Sequence, residues 1–152
     1  MEKNYNIRNV TVEDYTTLIK WWESYEDVEV PDSGLLPNNG LGGFVVEKEG
    51  KIRAAAYLYL TNSDIGYVDF LISDPNYKNR DRYEMIIDLI NVCSEVAVEE
   101  GCRVVWAMTT YDGVVKRCKD LGYDVLDEKH SLIYTHQQTD KNLNKYGKLK
   151  QK

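Results

Sequence analysis

The sequence predicts a mixed α/β (α+β) fold, in which a mostly antiparallel sheet carries helices on both faces. Three strand-like segments between residues 44 and 73 follow one another through short turns, which indicates an antiparallel meander. A short apolar segment at 104–108 follows a long helical pattern and needs a parallel neighbour, as in a β-α-β unit. The chain has 152 residues and a mass of 17.6 kDa, which is enough for one domain with a buried core.

The first predicted elements are a strand at 5–10 and an amphipathic helix that follows it. Thr11 is typical of a helix N-cap, and Asp14, three residues later, completes a capping box. Trp22 falls on the apolar stripe of this helix, whereas Trp21 is rotated from it by about 100°. We therefore expect that the two indole rings do not face the same core.

Residues 26–43 are predicted to form a long irregular loop, because the segment holds Pro31, Pro37 and four glycines. Long loops in compact domains are often lids or binding loops. The run Gly40-Leu41-Gly42-Gly43 is only superficially similar to a phosphate loop. A dinucleotide-binding loop follows a strand and opens a helix, whereas this run precedes a strand.

The meander is predicted from strands at 44–47, 52–61 and 65–73, and Asp74-Pro75-Asn76 ends the third strand. Because side chains alternate along a strand, one face of the second strand is aliphatic. That face is expected to hold Ile52, Ala54, Ala56, Leu58 and Leu60. Alternation divides the third strand into two sets, namely Tyr67, Asp69 and Leu71 on one face and Val68, Phe70 and Ile72 on the other.

Helices and strands alternate in the second half of the chain. A long helix is predicted to begin at Asn79 or Asp81 and to stop at Gly101. Its apolar face is expected to hold Ile86, Leu89, Ile90, Cys93, Val96 and Ala97. A further helix is expected at 111–121 and a last strand at 131–135. The order of elements is therefore β-α-βββ-α-β-α-β, with one more short strand allowed before the last one.

Composition and charge exclude several classes of protein. The net charge of −6 argues against a general nucleic-acid binder. No apolar run is long enough to span a membrane, and MEKNYNIRNV has no signal-peptide core. Three cysteines without C-x-x-C spacing are typical of reduced thiols, so we expect a cytoplasmic protein. Residues 137–152 hold five Lys and one Asp and are expected to form a flexible basic tail after a single domain at 1–136.

Metal and hydrolase chemistry find little support in the sequence. His130 and His136 have no second pair of ligands nearby, so no metal site is predicted. There is no G-x-S-x-G motif, and Ser131 lies in a predicted strand, so a hydrolase triad is not expected.

Two segments resemble the GNAT superfamily of acyl-CoA-dependent N-acyltransferases. The stretch YVDFLISDPNYKNRDRYEMIIDLI is similar to the strand of that family that ends in Val-x-Pro, followed by Arg-Gly-x-Gly-x-Gly/Ala and a long helix. The later KDLGYDV resembles the Lys-Leu-Gly-Phe that ends the last helix of the family. The resemblance covers residues 5–135 and is strongest to small single-domain members from phage genomes, which would act in the host cytoplasm. It implies acetyl-CoA as co-substrate. A homodimer is compatible with the resemblance, because homodimers are common in the family.

The resemblance also implies where the co-substrate binds. The family separates two parallel strands, here 65–73 and 104–108, and the pantetheine lies between them. The backbone of Leu71, Ile72 and Ser73 would bond the pantetheine amides, and the pyrophosphate would lie at the start of the next helix.

This chain lacks the small residues of the family's glycine-rich loop. The family motif aligns with Lys78, Asn79, Arg80, Asp81, Arg82 and Tyr83, so that larger residues fill its three small positions. As an N-cap with Glu84 three residues on, Asp81 is expected to place its carboxylate in the anion site itself. The cations Lys78, Arg80 and Arg82 could instead neutralise a phosphate through their side chains. A capped, salt-bridged helix start without a ligand is the alternative.

The resemblance assigns two catalytic candidates. Asp69 lies four residues before the Val position of Val-x-Pro, here Ser73, where many family members carry the general base. A carboxylate mid-strand is costly unless it is hydrogen-bonded or faces a wet cleft, so an Asp that only bonds a tyrosine or bridges strands is the alternative. Cys118 occupies the position of a Tyr that protonates the departing thiolate. Its alternative is core packing with Val114 and Leu121 on one helical face, and Tyr111, Tyr123 or solvent could serve as the acid.

An acidic segment follows the first helix and contains Glu23, Glu26, Asp27, Glu29 and Asp32. It is either a solvated face or the border of a pocket for a cationic amine. Because this part of the family lines the acceptor site, Trp21, Tyr25 and Tyr67 are candidate walls of that pocket. We predict an N-acetyltransferase acting on a small-molecule or peptide amine. The alternative is a GNAT-fold binding or structural module that has lost the co-substrate.

Overall fold

The computed structural model describes residues 3–109 and 112–126, which form a mixed sheet with helices on both faces. In chain order the elements are β1 Asn6–Asn9, α1 Val12–Ser24, β2 Gly43–Lys48, β3 Lys51–Leu60, β4 Ile65–Ser73, α2 Arg82–Glu99, β5 Val104–Ala107 and α3 Asp112–Asp120. Two short 3₁₀ helices, Ser33–Leu35 and Pro37–Gly40, lie in the loop between α1 and β2. The predicted strand at 131–135, the tail at 137–152 and the side chains of Tyr111, His130 and His136 fall outside the described residues.

The sheet follows chain order, with strands arranged β1-β2-β3-β4-β5. The first four strands pair in antiparallel fashion, and β5 pairs with β4 in parallel after the α2 crossover. The predicted meander and the predicted β-α-β unit are therefore both confirmed.

The first helix begins with the predicted capping box. Thr11 is extended, with φ −103° and ψ 170°, and its hydroxyl accepts a hydrogen bond from the Asp14 amide at 3.2 Å. The Asp14 carboxylate accepts in return from the Thr11 amide at 2.8 Å. The Arg8 guanidinium also donates to this carboxylate, so Asp14 ties β1 to the start of α1 although it is buried.

Asp14→Ala is expected to lower the free energy of unfolding by about 1–3 kcal/mol, because it removes a cap and unpairs Arg8. Burial opposes ionisation of Asp14, but hydrogen bonds from Arg8 and Thr11 outweigh it and lower the pKa of this carboxyl. The contribution is therefore present at neutral pH and is lost as the pH falls through the lowered pKa. Chemical denaturation at pH 7 and pH 3 measures it. Glu13→Ala, an exposed carboxylate of the same turn, is the control; an equal loss there would contradict the assignment.

The core has two layers, one on each face of the sheet. Helix α2 packs on one face through its predicted apolar stripe, in which Ile86, Leu89, Ile90, Cys93 and Ala97 are buried. Helix α1 and the loop after it cover the other face, with Leu18, Trp21, Trp22 and Leu36 buried against the sheet. None of the helices in the described ranges is long and apolar enough to cross a membrane.

The expectation that Trp21 and Trp22 do not share a core is wrong. Trp21 is 6% exposed and Trp22 is 2% exposed, and both belong to the same apolar cluster. The long loop after α1 contributes Leu36 and Leu41 to that cluster, so the buried face of α1 is wider than a single helical stripe. A rotation of about 100° between neighbouring side chains is small enough for both to be covered in this way.

The aliphatic face of β3 also differs from simple alternation. Val46 pairs with Ala54 but Glu47 pairs with Ile52, so Arg53 is an extra residue on β3. Such a bulge shifts the alternation by one residue. Ile52 therefore packs in the α1 layer, whereas Ala54 and the residues that alternate with it up to Leu58 remain in the α2 layer.

Candidate functional site

Strand β5 pairs along its whole length, but only with the first part of β4. Their parallel register runs from Ile65 opposite Val104 to Val68 opposite Ala107, and the Met108 amide donates to the Val68 carbonyl at 2.9 Å. β4 continues to Ser73, still paired with β3 but with no described residue of β5 beside it. Such an edge leaves backbone amide and carbonyl groups without ladder partners from β5.

A β-bulge lies in β4 just beyond Val68, the last residue of β4 that pairs with β5. Tyr57 pairs with Asp69 and Ala55 with Ile72, so β4 has one residue more than β3 between these pairs. Phe70 is in the left-handed region with φ +54°, which is costly for a residue other than glycine. The Phe70 amide donates to Asp69 Oδ1 at 2.7 Å, and this bond stabilises the bulge.

Because of the bulge, the residues of β4 do not divide between the two faces of the sheet as predicted. Val68 and Leu71 both pack in the α2 layer, whereas Phe70 and Ile72 pack in the α1 layer. The predicted grouping of Leu71 with Asp69, and of Val68 with Ile72, is therefore wrong, because an inserted residue reverses the alternation beyond it.

Asp69 is half-buried and directly follows Val68, the last residue of β4 that pairs with β5. Beside it along β4, the Tyr67 ring makes an edge contact with the Trp106 ring of β5, with centroids 5.8 Å apart. Trp106 is 37% exposed, so part of its side chain is accessible beside Tyr67. Sequence reasoning missed Trp106, because its position opposite Tyr67 depends on the parallel register, which local patterns do not specify.

The start of α2 is not capped as predicted. Asp81 occupies the N-cap position but has helical φ −77° and ψ −1°, and it makes no side-chain capping hydrogen bond. Its carboxylate instead accepts from Lys48 Nζ at 2.7 Å and from the Tyr77 hydroxyl at 2.7 Å. Burial opposes ionisation of Asp81, but these hydrogen bonds outweigh it and lower its pKa. The expectation that Asp81 caps α2 through its carboxylate is therefore wrong.

Three cations surround this uncapped turn. Lys78 and Arg80 are exposed, and Arg82, the first residue of α2, is half-buried. Within the described part of the chain, no carboxylate forms an ion pair with any of the three. Arg82 Nε is buried without a hydrogen-bond partner in the structure. The turn therefore concentrates positive charge next to backbone N–H groups, an arrangement that suits an anion.

Two larger residues of the predicted loop have local contacts. Asn79 Oδ1 accepts from the Arg80 amide at 2.6 Å, so this side chain folds back on its own loop. Tyr83 is 41% exposed, and its ring lies about 3.5 Å from where a Cβ on Gly113 would stand. Tyr83 therefore lies between the start of α2 and the start of α3.

Cys118 is part of the core between α2 and α3. Its side chain is 8% exposed and packs with Val114 in the α2 layer, and burial raises the pKa of the thiol. Leu121 lies beyond the end of α3 and is 58% exposed, so the predicted packing of Leu121 with Cys118 is wrong. The Tyr123 hydroxyl donates to Asn91 Oδ1 at 2.6 Å and thus faces α2.

The residues predicted to line the pocket for the acceptor amine differ in burial and in their contacts. Trp21 is too buried to offer much surface to a ligand. Tyr25 is half-buried, and its hydroxyl donates to the Ser73 carbonyl at 2.7 Å, which ties the end of α1 to the end of β4. The five acidic residues between positions 23 and 32 are all exposed.

Two clefts of about 400 and 430 Å³ lie along α2, and neither is lined by residues of β4 or β5. The first is lined by Lys3, Glu84, Asp88 and Arg117, and the second by Asn91, Glu95 and Tyr123 among others. Across residues 3–109 and 112–126, no group of three or more His, Cys, Asp and Glu side chains could hold a metal ion.

Solved structures share this fold. An aminoglycoside acetyltransferase from an uncultured soil metagenomic sample has a TM-score of 0.61 at 19% identity, covering 88% of this chain and 97% of its own. The N-acetylglutamate synthase of Neisseria gonorrhoeae, complexed with coenzyme A and N-acetyl-glutamate, has a TM-score of 0.63 at 17% identity, covering 78% of this chain and 28% of its own. The ribosomal-protein-S18-alanine N-acetyltransferase of Escherichia coli has a TM-score of 0.60 at 13% identity, covering 81% and 79%.

These neighbours are acetyltransferases of the GNAT fold, and the predicted fold class is confirmed. At such low identities the similarity concerns the fold alone. No protein-family model and no curated protein sequence matches the chain.

Proposed function

We propose that the protein is an acyl-CoA-dependent N-acetyltransferase that transfers an acetyl group from acetyl-CoA to a primary amine. The observation that carries this proposal is the course of β4, which continues to Ser73 beyond its pairing with β5 and leads to the uncapped start of α2. A strand edge at Leu71–Ser73 with no described residue of β5 beside it suits the amides of a pantetheine arm, and an uncapped helix start suits its phosphates.

The residues present fit the co-substrate at both ends. The backbone of Leu71, Ile72 and Ser73 would bond the pantetheine arm, although the Ser73 carbonyl already accepts from Tyr25. The first turn of α2 would hold the pyrophosphate, with Lys78, Arg80 and Arg82 supplying positive charge. Asn79 and Tyr83 would border the phosphates in place of the small residues of the family.

The chemistry requires a proton acceptor for the amine, and we assign that role to Asp69. Acetyl-CoA supplies an acetyl group activated as a thioester. Asp69 takes a proton from the acceptor ammonium, so that the neutral amine nitrogen can form the new C–N bond while the C–S bond breaks; the nitrogen then releases a second proton to solvent as the amide forms. The departing thiolate takes its proton from Cys118 or from solvent, and the burial of Cys118 favours solvent.

The acceptor that we propose is a cationic amine, either a small molecule or a peptide. The exposed acidic segment between positions 23 and 32 would attract such a molecule. Tyr25 and Tyr67 would border the acceptor pocket, and the buried Trp21 would support it from the core. An aminoglycoside acetyltransferase complexed with sisomicin shares the fold at 17% identity.

A binding or structural module without co-substrate is the second candidate. The observation that favours it is the replacement of all three small positions of the family motif by Asn79, Asp81 and Tyr83. Part of this objection is weakened because the Asp81 carboxylate is held by Lys48 and Tyr77 and makes no capping hydrogen bond to α2.

Isothermal titration calorimetry with acetyl-CoA separates the two candidates. The acetyltransferase proposal expects saturable binding of one acetyl-CoA per chain at micromolar concentrations. If saturable binding is absent at high micromolar concentration, the enzyme proposal fails and the module remains.

A further inference from the structure

Lys48, the last residue of β2, is a buried cation that the proposed reaction does not use. It is 6% exposed, and its ammonium group donates to Asp81 Oδ2 at 2.7 Å and to the Tyr77 hydroxyl at 3.1 Å. A buried charge is costly unless it is paired and hydrogen-bonded, and here both conditions are met.

The same contacts engage both oxygens of the Asp81 carboxylate. Lys48 binds Oδ2, and the Tyr77 hydroxyl donates to Oδ1 at 2.7 Å. The Tyr77 ring is itself covered by the Arg53 guanidinium, whose central carbon lies 4.6 Å from the ring centroid. Arg53 also pairs with Asp74 at 3.4 Å, so the loop before α2 is fastened to the β2–β3 hairpin.

The two helix starts of this chain show what Lys48 changes. Thr11 and Asp14 form a complete capping box on α1, in which Thr11 is extended. Asp81 and Glu84 have the same spacing at the start of α2, and Asp is among the best N-cap residues. The cap nevertheless does not form: Asp81 has helical backbone angles where Thr11 is extended, and its carboxylate is bound to Lys48 and Tyr77.

We infer that Lys48 is a positioning residue that keeps the Asp81 carboxylate from capping the first turn of α2, so that the N–H groups of Tyr83 and Glu84 remain available to a phosphate, since the Arg82 amide already donates to the Asn79 carbonyl. This inference rests on the proposed function for the identity of the anion. It explains how the chain tolerates an acidic residue where the resembling family has glycine: the charge is neutralised in place by a lysine from a neighbouring strand.

The first experiment measures co-substrate affinity by calorimetry in a double-mutant cycle. Lys48→Met keeps the aliphatic stem and is expected to weaken CoA binding about 10–100-fold, because the freed carboxylate competes with phosphate for the same N–H groups. Adding Asp81→Ala, which removes the capping acceptor, to Lys48→Met is expected to restore affinity to within about threefold of the parent. Lys51→Met, an exposed lysine of the same hairpin, is the matched control and leaves affinity unchanged.

The second experiment needs no co-substrate. Hydrogen exchange of the Glu84 amide reports whether a carboxylate caps the third residue of α2. Lys48→Met is expected to slow this exchange about tenfold, and the double variant with Asp81→Ala, which has no side-chain acceptor, is expected to exchange like the parent. If Lys48→Met does not fold, Tyr77→Phe releases Oδ1 alone and is expected to slow the same exchange by a smaller factor.

The two readouts keep the inference separate from the proposed function. If the parent binds no CoA but the Glu84 amide becomes protected in Lys48→Met, the proposed function fails and the role of Lys48 in positioning Asp81 stands. If the amide is unaffected in Lys48→Met, or in Tyr77→Phe when that variant replaces it, the role of Lys48 is overturned. If Lys48→Met weakens CoA binding and Asp81→Ala does not restore it, Lys48 acts only through general stability, and the inference is equally overturned.

Discussion

Asp69→Asn is expected to lower the turnover of acetyl transfer by about 10²–10⁴-fold while the affinity for acetyl-CoA stays nearly unchanged. The substitution removes the group that accepts a proton from the acceptor ammonium. It keeps an oxygen that can accept the Phe70 amide, which donates to Asp69 Oδ1 at 2.7 Å. The bulge and the strand edge that would hold the co-substrate should therefore persist. Steady-state kinetics with a primary amine, together with calorimetry, measure the two quantities separately.

Two further variants make this result interpretable. Asp64→Asn alters an exposed carboxylate just before the same strand, paired with Arg103, and should leave turnover unchanged. Asp69→Ala also removes the acceptor of the Phe70 amide, so it should reduce stability as well as turnover. An Asn variant that turns over normally at neutral pH would remove Asp69 from the mechanism and leave it a structural role in the bulge.

Reversal of Lys78, Arg80 and Arg82 to Glu is expected to abolish detectable CoA binding, a loss of about 10³-fold or more. Each cation is expected to form a charge-assisted contact to phosphate, and each Glu would add repulsion at the same place. Because Lys78 and Arg80 are exposed and no described carboxylate pairs with the three cations, the fold should survive. Calorimetry measures the binding, and circular dichroism with thermal unfolding measures the fold.

The matched control reverses three exposed lysines elsewhere, namely Lys20, Lys51 and Lys116, which changes the net charge equally. This control should bind CoA within about threefold of the parent. If the variant at the start of α2 still binds CoA, that turn is not the phosphate site. If both variants lose binding, the effect arises from net charge and not from the position of the cations.

Much of the fold follows from local patterns in the sequence. The capping box of Thr11 and Asp14, the meander and the apolar stripe of α2 depend on residues close together in the chain, and all are confirmed. The parallel partner of β5 was also predictable, because a strand that follows a helix in this order has few other places to pair. These features need only spacing and residue type.

The candidate site depends on contacts that no local pattern specifies. The Asp69–Phe70 bulge inserts one residue and moves Leu71 to the other face, although the sequence alternates without a break. Asp81 has the sequence of an N-cap, yet Lys48, from a strand far earlier in the chain, takes its carboxylate. The sequence alone determined the class of fold, because periodicity and capping are local, and it supplied the residues of the candidate site as a prediction. Only the tertiary structure decided the direction of each site side chain, because pairing register and long-range ion pairs outweigh local preference.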